Sequence, residues 1–254
     1  MSKDALRQTA NLLSVLLALV VNILAATLPL NNQTTAQISD RFKVYFVPAG
    51  YVFAIWGIIY IGWIALVVCQ FLPAHRESPR LRKLGYLFAL TGVFNAAWLF
   101  CWQYNHFTLS VIVMLVLLGL LIACYLNLNI GRASVGNTEK WCVDIPISVY
   151  LGWISVATIA NISDWLYGIH WDGFGIDPQV WAVIMLVIAS MLGLLMALTR
   201  RDSGYLLVLV WAFIGIAVKQ SAAPLVADTA TFCSVIALGL AVFSIIRRRR
   251  LPST

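Results

Sequence analysis

Trp98 follows Asn95 by three residues inside LFALTGVFNAAWLFCW, a stretch otherwise apolar enough to cross a membrane. The two side chains bring different chemistry. An indole stacks on flat apolar partners and donates one N–H, whereas a carboxamide both donates and accepts. Similar groups recur as Phe53, Trp56, Tyr60 and Trp63 in one segment and as Tyr150, Trp153, Ala157 and Asn161 in another. Trp102 continues the stripe begun by Asn95 and Trp98. At helical spacing each group forms a single stripe. An amide turned to hydrocarbon would go unsatisfied, so the stripes carrying Asn95 and Asn161 are expected to face inward, with the aromatics beside them. Interhelical packing accounts for any one Trp or Asn. Three such stripes at one depth point instead to an aromatic-walled pocket suited to a flat, largely apolar ligand.

Composition dictates what must hold these stripes. The chain is 61% hydrophobic and 11% charged, with a mean hydropathy of +0.89. A soluble globule carries a charged fraction nearer a quarter. Apolar runs near the length of a spanning helix fall at roughly 9–30, 48–72, 84–104, 107–129, 141–163, 179–198, 204–220 and 227–246. They leave no room for a separate soluble domain. The expectation is an all-α, multi-pass integral membrane protein of about eight transmembrane helices.

Orientation follows from Lys and Arg. With the N-terminus inside, all the Lys and Arg residues except Arg41, Lys43 and Lys219 fall on the cytoplasmic side. Both termini are therefore expected inside. The net charge of +7 reads as topology and not as nucleic-acid binding, and Arg247 to Arg250 read as an anchor for the last span. From a rise of about 1.5 Å per residue, Asn22, Trp56, Asn95, Trp98, Trp153 and Trp211 lie roughly 9–15 Å below the outer surface.

Other features carry less. Lys3 and Arg7 precede an apolar run as in a signal peptide, but that run is long and lacks a clear cleavage site, so an uncleaved helix is expected. Cys69, Cys101, Cys124, Cys142 and Cys233 form no paired motif and no metal site is expected. Asn32 and Asn161 begin glycosylation triplets, the second too close to the membrane to accept a glycan. The segment 164–178 reads as an outer loop whose His170, Asp172 and Asp177 could ligate a metal, though solvated acids in a glycine-turned loop are the commoner case. His106, in another outer loop, and His170 are the weak candidates for a haem ligand. Lys219 reads as a lysine reaching for the outer boundary and not as a Schiff-base lysine. Ala189, Gly193 and Ala197 permit a close helix contact, either within the chain or between two copies. No nucleophile sits beside a base, and neither a phosphate loop nor H-E-x-x-H occurs, so no conventional enzyme is expected.

At the residues of the stripes the chain resembles the tryptophan-rich sensory protein, or translocator protein, family. Pro48, Trp56 and Tyr60 within VPAGYVFAIWGIIY match the family's second helix. Asn95 and Trp98 in FNAAW match the third, and Tyr150, Trp153 and Asn161 in YLGWISVATIAN match the fifth. The resemblance spans residues 9–163 and implies a five-helix ligand-binding bundle over 1–165. The remainder, 166–254, would be an outer loop and three additional helices. It implies an outward-opening pocket roofed by the loop between the first two helices, in which Tyr45, Phe46 and Pro48 stand where the family has a tryptophan and a proline pair. It further implies a porphyrin, haem or sterol-like ligand, no required cofactor, a lipid bilayer around the chain and often a homodimer. Light-dependent porphyrin breakdown is implied by the resemblance alone. The expected site comprises Pro48, Phe53, Trp56, Tyr60, Asn95, Trp98, Tyr150, Trp153 and Asn161, with Asn22, Trp102 and Trp211 at its margin. A receptor, sensor or carrier follows. The alternatives are a small-solute transporter, against which stands the lack of a mid-membrane charge, and a membrane scaffold without a ligand.

Overall fold

The computed structural model describes residues 2–28 and 30–249. Its apolar helices follow the expected order: α1 (Lys3–Thr27), α2 (Ile55–Phe71), α3 (Leu87–Gln103), α4 (Phe107–Asn127), α5 (Ile145–Gly168), α6 (Pro178–Arg200), α7 (Ser203–Lys219) and α8 (Pro224–Arg249). There is no strand among the described residues. Among the described residues, six helical stretches are long and apolar enough to cross a membrane. The other two, α3 and α7, have 17 residues each, about 25 Å of rise, at the short end of the spanning range. Of the anchor arginines, Arg250 lies outside the described residues.

Local chemistry sets the helix ends. Ser2 caps α1 by accepting from the Ala5 N–H at 3.2 Å, with Asp4 in the first turn. Asp177 caps α6 ahead of Pro178, and Asp202 caps α7 through the Tyr205 N–H at 3.1 Å. Two boundaries differ from expectation. Residues Gly50–Ala54 form a 3-10 turn, so the α-helix begins only at Ile55 and Phe53 lies outside it. At the other end, α5 continues to Gly168, carrying Asp164 into the helix and out of the expected loop.

The chain divides into two compact units. One is Met1–Thr35 with Trp56–Leu151; the other is Ala36–Ile55 with Gly152–Thr254. In the first, α1 presents a buried polar seam. Gln8 Nε2 donates to the Gln70 carbonyl at 3.0 Å, Asn11 Nδ2 to Gln70 Oε1 at 2.9 Å, and Ser14 to the Ala89 carbonyl. Such bonds join helices where apolar packing alone gives little preference over lipid. The same unit is tied at one end by Arg80, which donates to the Leu128 carbonyl and pairs with Glu139 and Asp144. In the second unit, Ala182, Leu186, Ala189, Gly193 and Ala197 form the buried stripe of α6. A Cβ on Gly193 would meet Leu209 at 2.7 Å, and Ala197 packs with Leu206 and Ala241. The small-residue run thus serves close packing of α6 on α7 and α8.

Candidate functional site

In the first unit the expected site residues of α1, α2, α3 and α5 meet in one aromatic cluster. Trp56 is the hub. Its ring stacks on Tyr60 at 5.9 Å and on Trp98 at 6.3 Å, and meets Tyr150 edge-on at 6.2 Å. Trp98 stacks in turn on Trp102 at 5.9 Å, and Trp63 closes the group against Tyr150 at 5.1 Å. The Trp56–Tyr60 and Trp98–Trp102 contacts follow directly from the four-residue spacings on α2 and α3, which stand successive rings above one another on one face. Ring pairs at such separations add to simple burial.

A polar network orders the cluster. Asn22 donates to its own helix at the Ala18 carbonyl and to Asn95 Oδ1, both at 2.8 Å, and accepts from the Tyr60 hydroxyl at 2.9 Å. Asn22, assigned only to the margin, is therefore the joint between α1, α2 and α3. With its oxygen engaged, fully buried Asn95 turns its NH₂ group inward beside Tyr150. There the Asn95 amide meets the Tyr150 hydroxyl, whose own O–H, like Trp63 Nε1, has no acceptor. Buried donors are nearly always matched, so two unmatched ones around one aromatic stack mark a place where an acceptor is called for. Trp102 is engaged differently, donating from Nε1 to the Thr35 carbonyl at 3.3 Å.

The remaining expected residues belong to the second unit. Phe53 packs edge-on against Trp153 at 5.7 Å, and Asn161 is buried on α5. Pro48 and Val52 lie against α7, where the Ala49 N–H donates to the Gly215 carbonyl at 3.0 Å. A Cβ on Gly215 would come within 2.1 Å of the Val52 side chain, so only glycine admits this segment. Trp211 stays 37% exposed; its Nε1 donates to the Val52 carbonyl at 3.0 Å and its ring meets Tyr51. It acts as a strap on residues 51–52.

Sequence reading missed Asp164. It is 1% exposed, accepts from the Ser39 hydroxyl at 3.3 Å through one oxygen, and leaves the other without a hydrogen bond. The signal was present: Asp164 follows Asn161 by three residues and extends the Tyr150–Trp153–Asn161 stripe. The loop acids have plainer roles. Asp172 accepts from the Phe174 N–H and Asp177 from the Gln179 N–H, each capping a turn. His106 and His170 are exposed. Lys219 pairs with Asp40.

No curated protein and no solved structure matches the chain. The family described as TSPO-like protein matches residues 8–243, a range that runs from α1 through α6 and α7 into α8. With its apolar helices, the chain is a multi-pass helical membrane protein that belongs to the TSPO-like protein family.

Proposed function

We propose that the protein is a membrane receptor, sensor or carrier for a flat, largely apolar ligand such as a porphyrin, a haem or a sterol-like molecule. The observation that carries the reading is the pair of unmatched donors, the Tyr150 hydroxyl and Trp63 Nε1, beside the stacked rings of Trp56 and Trp98. A flat ligand with peripheral acceptor groups would give the donors their partners and, by entering among the rings, exchange their mutual stacking for its own faces. Family membership supports a binding or sensing role over conventional catalysis. Trp153, Asn161 and Pro48 join the proposal on the resemblance of their motif, and Phe53 on its place in the sequence stripe. The test is titration of detergent-purified protein with protoporphyrin IX and with haem, following tryptophan quenching. The expected result is saturable quenching, with affinity lowered by Trp98→Ala and Trp153→Ala together. Unchanged affinity in that double variant would remove these residues from the site.

One observation favours a second reading, a small-solute transporter coupled to an ion. Buried Asp164 is the kind of carboxylate such coupling uses. Gradient-dependent uptake by proteoliposomes that Asp164→Asn abolishes would establish it.

A further inference from the structure

A cavity of about 430 Å³ lies wholly within the second unit. Four segments wall it: residues 43–46, the last turns of α5, the turn 171–176 and the first turns of α6. Its size is that of a pocket for a drug-sized molecule. None of the residues proposed above for the porphyrin-like ligand lines it.

The walls are built to keep the space open. Trp181 is fixed by donation from Nε1 to the Gly173 carbonyl at 2.8 Å, and its ring lies 5.3 Å from that of Trp171. The turn that accepts this bond has three successive residues at positive φ: Gly173 at 64°, Phe174 at 55° and Gly175 at 71°. Left-handed backbone at a non-glycine residue is uncommon and here is held by the Asp172 cap on the Phe174 N–H. A Cβ on Gly173 would lie 2.9 Å from Trp181 Nε1, so the indole can approach this backbone only over glycine. Both tryptophans thereby spend their polar or edge contacts on the protein and on each other. Tyr45 and Tyr167 continue the aromatic lining.

Charge at this cavity is sparse: one cation, Lys43, and one carboxylate, Asp172, which keeps its charge but turns Oδ1 to the Phe174 N–H of its own turn. Lys43, exposed on the lining, has no carboxylate within ion-pair distance among the described residues. An aromatic-walled space with one available cation selects a flat apolar body bearing one anionic group. The geometry points to a second ligand site here, taking a small aromatic carboxylate whose rings lie against Trp171, Trp181 and Tyr167 and whose carboxylate meets Lys43.

The test uses the full chain in lipid nanodiscs and a diazirine-bearing 2-naphthoate, with mass spectrometry locating the label after irradiation. Expected is saturable labelling within residues 43–46, 159–167 and 171–185, displaced by excess 2-naphthoate. Lys43→Gln should raise the half-saturating concentration about five- to tenfold, the loss of one charge-assisted hydrogen bond. Met185→Trp, which fills the cavity, should abolish saturable labelling; thermal unfolding verifies that both variants are folded. Trp98→Phe should leave labelling unchanged, which separates this site from the cluster around Asn95. Labelling that does not saturate, that spreads along the lipid-facing helices, or that survives Met185→Trp overturns the site. A methyl ester probe that binds as well as the acid, or a Lys43→Gln chain that binds as well as the native one, overturns the carboxylate.

Discussion

The two aromatic regions use the same residue types to opposite effect. Around Trp56 the rings come from helix faces at three- and four-residue spacing and lean on one another. Around Trp181 they come from a turn and from helix ends, and an indole N–H is tied to main chain instead. In the first region the rings are satisfied by each other while neighbouring donors are left unmatched. In the second the Trp181 N–H is matched to main chain and the rings border open volume. An aromatic cluster therefore does not by itself announce a cavity. What matters is whether the protein has already spent the rings or the polar groups.

That contrast can be broken by stability measurements. Trp98→Ala removes a buried ring from a packed stack and should cost about 3–5 kcal/mol, whereas Trp181→Ala, bordering a cavity, should cost about 1–2 kcal/mol. Chemical unfolding of both variants in detergent checks the order; equal losses would mean the regions are packed alike. Asn95→Leu should cost about 1–3 kcal/mol, because Asn22 loses its buried acceptor. The same substitution should weaken protoporphyrin quenching while leaving naphthoate labelling intact, and loss of both would merge the two sites into one. Asp172→Ala should cost the least, about 1 kcal/mol, by releasing the Phe174 N–H. Its signature is faster hydrogen exchange confined to residues 172–181. Exchange unchanged there would show that the turn does not depend on its cap.

Much of the fold was legible in the chain because a bilayer demands runs of apolar residues near a fixed length, and the helices fall close to the runs that meet it. The stripe of Asn95, Trp98 and Trp102 was legible for a similar reason: helical spacing alone decides which residues share a face. The break at Ile55 was not, since nothing local in VFAIWG separates a 3-10 turn from the α-helix that continues it. Asp164 was hidden by the habit of reading an acid after an apolar run as the start of a loop. The role of Ala189, Gly193 and Ala197 stayed open because a small-residue run licenses close approach without naming the partner; Leu206, Leu209 and Ala241 supply it.

The amino-acid sequence by itself determined the helical class, the order of the spans, the family motifs and the inward stripes, all consequences of period, length and hydrophobicity. Tertiary structure alone decided which stripes meet. It made Asn22 the joint of a network, left Tyr150 and Trp63 with unmatched donors, and turned residues 171–181 into the wall of a cavity. The physical reason is that periodicity assigns each residue a face on its own helix. Hydrogen-bond matching and open volume are properties of groups brought together from distant parts of the chain.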